Sequence, residues 1–444
     1  MMVGIMGTEV EYAAILTTHS EGRVNASATG RYVVSAHPAA LGALGIRTYG
    51  IPEDGMLSNG ARLYNDHGHP EYSTPECKDL LTLLACEKAG ERLMQACVEA
   101  CADTLPQGAA LTLLKINTDH AGRTWGCHEN YLVTPDLFDR LILEPRPELY
   151  GALVPFLVTR QLISGSGRVG GEEGWRGYQL SQRADFIQTV LGPDTTRQRP
   201  IVNSRDEPLA DGLRFRRLHL VMGDSNMSEY ATYLKLGLTR LILRMLGDHA
   251  LACSLELRDP VAAMQSVSRR PEEPLLLDCG YERTARELQV EFLEMAGAYL
   301  ARAGADSEET ALVEEWGRTL DAMAKDPMSL CDRLDWAIKL AFLESVRADA
   351  KVDWDHPLLQ ELDFRYHDIC PERSIYQSLA SSGAVRSFPL LEAGVRRHMV
   401  EPPKDTRARE RVDVLRGQTG FASVDWDHVV CEAGRFQWAD PTAY

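Results

Sequence analysis

The chain opens with VGIMGTEVEYAAIL (residues 3–16), in which apolar positions alternate with Thr8, Glu9 and Glu11 at the period of a strand. Side chains two apart on a strand share a face, so Glu9 and Glu11 project together. NGARLYNDHGHPEYSTPEC (59–77) predicts a strand and a turn, with Arg62, Tyr64 and Asp66 on one face. LLTLLACEKAGERLMQACVEACADTL (80–105) repeats apolar residues at three and four and predicts a helix. GAALTLLKINTD and GCHENYLV return to strand, and LYGALVPFLVTRQLIS predicts a second helix ending in the glycine-rich GSGRVGGEEG. That loop lacks the Lys-Ser/Thr ending of a P-loop. YQLSQRADFI, PIVNSRD and RRLHLVMGD are further strand segments, MSEYATYLKLGLTRLILRML is an amphipathic helix, and residues 285–350 are almost wholly helical. The pattern predicts an α+β domain over 1–395, with antiparallel strands and helices on one side, and a small C-terminal domain over 396–444. No internal repeat is present.

Composition narrows the classes. A formal charge of -17, from 47 Lys plus Arg against 64 Asp plus Glu, disfavours nucleic acid and anionic lipid as general partners. TRQRPIVNSRDEP and RFRRLH still concentrate arginine locally, which suits either phosphates and acidic partners or a plain solvated surface. Ten cysteines lie scattered with no C-x-x-C pair, and the start lacks a secretory pattern, so reduced thiols in a cytoplasm are expected. Cys97 and Cys101 are expected to be packing residues. No apolar run is long enough to span a bilayer, and the chain is expected to be a soluble monomer.

Glu9, Glu11, Tyr64 and Glu71 are hard oxygen donors suited to magnesium rather than zinc, although two glutamates at i and i+2 also suit a solvent-facing strand. Arg62, Tyr64 and Asp66 on one face call for a polar environment such as a nucleotide site, or for a solvated edge. His67 and His69 lack zinc partners at suitable spacing, and His69 before Pro70 is expected in a turn. His128, Glu129 and His219 could extend a metal and phosphate site or be structural. No G-x-S-x-G elbow or cysteine nucleophile context is present. Carboxylates with arginines favour phosphoryl-transfer chemistry.

IMGTEVEY, NGARLYNDHGHPEYSTPEC, KAGER, GCHENYL, PFLVTRQLISGSGRVG, QLSQRADFI, IVNSRDEPLAD, RRLHLVMGDSNMSEYATYLKLG, LDWAIKL and PPKDTRA, in this order, resemble the Pup ligase and Pup deamidase/depupylase family. The resemblance implies a glutamine-synthetase-like curved antiparallel sheet backed by helices, holding ATP and Mg2+, with a C-terminal domain closing over the adenine. It implies Asp66 as the catalytic carboxylate. Glu9, Tyr64 and Glu71 would be magnesium ligands with His219 beside them, and Arg62, Thr74, Arg205 and Trp426 would contact the nucleotide. The partners implied are Pup, or a Pup-like modifier, and pupylated proteins. DHGHPEY is similar to the depupylase motif and differs from the ligase one, which implies hydrolysis of the bond between the C-terminal Glu side chain of Pup and a lysine, with Gln deamidation as a related activity and ligation as the alternative. Two departures stand out: the long insertion that depupylases carry before the catalytic strand is replaced by the short LGIRTYGIPEDGMLS, and Asn65 occupies a usually aliphatic position.

Overall fold

The computed structural model describes residues 2–443 except 19–21, 25, 52, 103, 104, 106, 145, 146, 252, 253 and 390, with only the backbone described at 2, 3, 22–24 and 26–28. Its centre is a nine-stranded sheet. The strands are β1 (Met2–Glu11), β2 (Thr48–Ile51), β3 (Asp54–Leu57), β4 (Arg62–Asp66), β5 (His69–Ser73), β6 (Cys127–Val133), β7 (Ile187–Gly192), β8 (Arg199–Asn203) and β9 (Arg216–Leu220). Their spatial order is β7-β8-β9-β6-β1-β5-β4-β3-β2, antiparallel except for the edge pair β7/β8. The first strand in sequence thus lies at the middle, between the strands that carry Glu71 and His128.

Alternation sorts the side chains between two environments. Met6, Tyr131, Val133, Leu218 and Leu220 are buried in the main core with residues of helices α2 (Leu80–Cys101), α3 (Val154–Ser164) and α4 (Glu229–Gly247). Tyr72 and Leu63 enter a second core with helix α1 (Ala26–Ala43). The intervening residues, Glu9, Glu11, Arg62, Tyr64, Asp66, Glu71, His128, Asn130 and His219, occupy the opposite face by the same period.

Glu129 therefore does not extend the polar site. It points into the core, where it accepts from Arg160 at 2.8 and 2.7 Å and from the Tyr131 hydroxyl at 2.8 Å. Burial opposes its ionisation, but Arg160 more than compensates and holds its carboxyl below the ordinary range. Breaking a fully buried pair by removing one partner costs about 3–5 kcal/mol. Glu129→Ala is expected to lose about that much in urea unfolding, with nucleotide binding per folded molecule unchanged.

Helix α1 was not anticipated by the sequence pattern, because Pro38 lies inside it. It supports the turn between β4 and β5. A Cβ on Gly30 would sit 2.2 Å from the carbonyl oxygen of Gly68, so only glycine lets the helix approach that closely. His67 and Gly68 form a two-residue turn with φ of 48° and 98°, the pattern of a tight hairpin whose twist matches its strands. His69 is consequently a strand residue and not a turn residue. It meets Tyr12 O at 3.2 Å and stacks on Trp125.

LGIRTYGIPEDGMLS supplies the β2–β3 hairpin at the sheet edge. Residue 396 lies within helix α5 (Leu391–Val400), which Pro402 and Pro403 follow. Helix α6 (Arg407–Gly417) and a three-stranded sheet of Ser423–Val424, His428–Cys431 and Gly434–Gln437 complete the chain. Among the described residues no helix is long and apolar enough to cross a membrane. Cys97 and Cys101 are buried packing residues, and Cys253 lies outside the described residues.

Candidate active site

The register of the central strands assembles the polar face. Glu11 pairs with Glu71, which pairs with Tyr64, and Glu9 pairs with Ser73, which pairs with Arg62. On the other side Glu9 pairs with His128, and Asn130 pairs with His219. Carboxylates and imidazoles from four strands meet as a result.

Two clusters have the dimensions of cation sites. Glu9, His128 and His219 form one, and Glu11, Asp66 and Glu71 the other, each with its ligand atoms within 4.8 Å of one another. In the first, Glu9 accepts from Asn130 Nδ2 at 2.9 Å and lies 3.1 Å from His128 Nδ1, while Asn130 Oδ1 is 2.8 Å from His219 Nδ1. Burial works against ionising Glu9, yet the His128 hydrogen bond and the fields of His219 and Arg217 hold its carboxyl far below the ordinary range. Burial takes His219 down to about 3, against the opposing field of Glu9. In the second cluster, burial and then the charges of Glu11 and Glu9 push Glu71 well above the usual carboxylate range. Tyr64 donates its hydroxyl to Glu71, and burial with the adjacent Glu71 charge raises that phenol. Three carboxylates whose basic neighbours are only imidazoles, His67 at 2.9 Å from Asp66 and His128 at 3.8 Å from Glu11, are an environment that a hard divalent cation would satisfy.

Asp66 differs from its neighbours in being accessible, with 41% of its side chain exposed at the rim. Its Oδ2 lies 2.9 Å from Nδ1 of the more exposed His67, whose pKa this hydrogen bond raises. An accessible carboxylate beside a buried carboxylate pair is placed to take a proton from an incoming nucleophile.

A cleft open to solvent starts at Glu9 and runs along Ile5–Thr8. Thr74, Glu76, Asn130, Arg217, Arg407 and Trp426 also line it. Its far wall is the C-terminal segment, held by Glu76. This partly buried carboxylate accepts from Arg407 Nε at 2.7 Å and from Arg411 at 2.9 and 2.8 Å. Arg411 also donates to Trp426 O at 2.7 Å and lies 5.1 Å from the Trp426 ring. Burial resists ionisation of Glu76, but Arg411 and Arg407 bring its carboxyl down to about 2 from an ordinary 4.5. A folded value below the unfolded one contributes stability above pH 4.5, and that contribution is lost as pH falls toward about 2. Proteolysis of the C-terminal segment is expected to rise across that window, and Glu76→Gln is expected to produce the same susceptibility at neutral pH.

The residues anticipated from sequence thus fall into distinct places. Glu9 and His219 share one cluster, Glu71 and Asp66 share the other, and Tyr64 serves Glu71. Thr74 and Trp426 line the cleft, with Thr74 Oγ1 accepting from the Thr8 amide at 2.9 Å. Arg62 is engaged with Asp54 at 2.7 and 2.8 Å and with Asp425 at 3.1 Å, joining the β2–β3 hairpin to the C-terminal segment. Arg205 is exposed on the loop after β8, near enough to His219 to disfavour its protonation. Asn130, Arg217, Glu76 and Arg407 were not singled out from sequence. Alternation could have found the first two, since Asn130 is two residues from His128 and Arg217 two from His219.

A nine-stranded, mostly antiparallel sheet backed by helices, with two cation-sized clusters on its polar face beside such a cleft, makes the chain an α+β protein with a site suited to a cation and a nucleotide. Residues 4–430 match the Pup-ligase protein family, and the chain belongs to that family. It is 44% identical over 383 residues to the depupylase of Acidothermus cellulolyticus, covering 84% of this chain and 74% of that protein. It is 37% identical to the Pup deamidase/depupylase of Mycobacterium tuberculosis, covering 98% and 92%. It is also 37% identical to the Pup–protein ligase of Acidimicrobium ferrooxidans, covering 96% and 92%. The structure of the ligase PafA in complex with Pup superposes with a TM-score of 0.85 at 30% identity, covering 99% of this chain and 88% of that one. PafA in complex with ADP gives 0.79 at 32% identity, covering 88% and 87%.

Proposed function

We propose that the protein is an ATP- and magnesium-dependent depupylase, which hydrolyses the isopeptide bond between the C-terminal Glu side chain of Pup, or a Pup-like modifier, and a substrate lysine. Deamidation of a C-terminal Gln would follow the same chemistry. The observation that carries this is Asp66, an accessible carboxylate at the strand end before a two-residue turn, at the rim of the Glu11–Glu71 pair. Water reaches Asp66 from solvent. In the proposed step Asp66 accepts a proton from water as the water oxygen attacks the side-chain carbonyl carbon. The carbon–nitrogen bond then breaks, and the lysine amine departs with a proton.

Glu9, Glu71 and Tyr64, with His219 beside them, are the proposed magnesium site, and the cleft between Thr74, Arg407 and Trp426 is the proposed place of ATP. Bound there, the cation would neutralise phosphates and polarise the oxygen atoms it meets. The relatives named depupylase support hydrolysis, and the PafA structure with ADP supports a nucleotide in this fold. Every residue assigned lies outside the segment where depupylases carry an insertion, so activity is expected without one. Among the described residues all nine cysteines are free, which suits a reducing cytoplasm.

Ligation is the second reading, favoured by the ligase relatives. Incubation with a pupylated protein separates the two: release of free modifier dependent on Mg–ATP is expected. New conjugate from free modifier and a lysine acceptor, with no release, would assign ligation instead.

A further inference from the structure

Two of the cysteines are in sulfur–sulfur contact inside the protein. Cys77, just before helix α2, and Cys86, in the second turn of that helix, lie 3.9 Å apart and are 0% and 1% exposed. His398 of helix α5, also buried, hydrogen-bonds the Cys86 side chain, and its Nδ1 meets Glu401 O at 3.1 Å. A thiol held between a second thiol and an imidazole is a reactive arrangement, whereas a cysteine that only fills space has apolar neighbours. Burial opposes ionisation of Cys86, but the hydrogen bonds from Cys77 and His398 hold its thiol below the ordinary range. Burial and then the contact with Cys86 push Cys77 up, so the proton stays on Cys77.

The pair lies one layer behind the cleft. Cys77 exchanges backbone hydrogen bonds with Met6 at 2.9 Å in both directions, and it directly follows Glu76. Met6 and Glu76 both line the cleft, and Glu76 holds Arg407 and Arg411 of its far wall. Thr406 Oγ1 also donates to Glu76 O at 3.0 Å. A shift of residue 77 toward α2 is therefore passed to the cleft by two routes, through β1 and through Glu76. Disulfide sulfurs are about 2.05 Å apart, so closing the gap moves each sulfur by about 1 Å.

We propose that Cys77 and Cys86 are a site of reversible oxidation, closed to a disulfide by hydrogen peroxide, and that the closed form binds ATP more weakly. The second part rests on the cleft being the place of ATP. In the first step His398 takes the Cys86 proton and the Cys86 sulfur attacks one oxygen of the peroxide. The O–O bond breaks, the departing oxygen takes the proton from His398 and leaves as water, and Cys86 becomes a sulfenic acid. The Cys77 sulfur then attacks the Cys86 sulfur, the S–O bond breaks, and that oxygen leaves as water with the Cys77 proton. Two thiols lose two electrons, and one peroxide becomes two waters. Peroxide is close to water in size and approaches from the cleft, past Met6 and Glu76. Bound nucleotide and disulfide oppose one another, and each weakens the other by the same factor.

The test joins peptide mapping to ATP titration on the full chain. After brief peroxide treatment, alkylation of the remaining thiols and tryptic digestion without reductant, peptides 63–78 and 79–88 should be joined through Cys77 and Cys86. Affinity for Mg–ATP should fall by about five- to hundredfold, the range of ordinary coupling between sites, and dithiothreitol should restore it. Cys77→Ala and Cys86→Ala, each measured against its own untreated sample, should form no such link and keep their ATP affinity under peroxide. His398→Gln should slow the link by about tenfold, since less of Cys86 is then thiolate. Recovery with dithiothreitol separates the disulfide from oxidation of Met6, which that reagent does not reverse. Absence of the linked peptides overturns the inference. So does a link that leaves ATP affinity unchanged, or an equal loss of affinity in the alanine variants. If the reduced wild type binds no ATP, the nucleotide reading of the cleft fails and the coupling with it, while the linked peptides still uphold or overturn the thiol pair.

Discussion

Asp66→Asn is expected to lower turnover of a modifier conjugate by about 10²–10⁴-fold, the range attributed to a positioned general base, while ATP binding stays near wild type. The substitution keeps side-chain size and removes the charge that would accept a proton. Asp66 is partly exposed at a hairpin end and does not line the Ile5–Glu9 cleft, so nucleotide affinity has no reason to change. The fold should tolerate it within about 0.5 kcal/mol, as at other exposed positions. Single-turnover cleavage and ATP titration on the same preparation check this. Wild-type cleavage by the variant would remove Asp66 from the chemistry, and joint loss of cleavage and ATP binding would make it a metal ligand instead.

Glu71→Gln should have the converse profile. Glu71 is 2% exposed, hydrogen-bonded to Tyr64 and crowded by the charges of Glu11 and Glu9. Neutralising it relieves repulsion, so the fold without metal should be at least as stable as the wild type. What disappears is the reason for a cation to bind. The tightening of ATP by magnesium should fall by at least about tenfold, the lower scale for groups that merely support a metal ligand. ATP titrations at several magnesium concentrations measure it, and unchanged tightening would leave the carboxylate cluster without a metal role.

How far the sequence revealed this site depended on the range of the interactions. Glu9, Glu11, Arg62, Tyr64 and Asp66 were legible because strand period alone sets their faces, and the hairpin register then joins Tyr64 to Glu71. The same period separates Glu129 from His128, but sequence left both open, because a buried glutamate is unexpected until Arg160 is seen across the core. Helix α1 was masked by Pro38, which its packing against the β4–β5 turn outweighs. Glu76 carries no local signal, since its partners Arg407 and Arg411 lie more than 330 residues away.

The ratio of ADP formed to side-chain amide bonds changed tests the central claim most directly. Hydrolysing an amide in water needs no phosphoryl donor, whereas condensing a carboxylate with an amine consumes one activating phosphate per bond. With enzyme, Mg–ATP, conjugate, free modifier and lysine acceptor in one vessel, the depupylase assignment predicts that conjugate disappears with far less than one ADP per bond broken. Accumulating conjugate with at least one ADP per bond formed would contradict it.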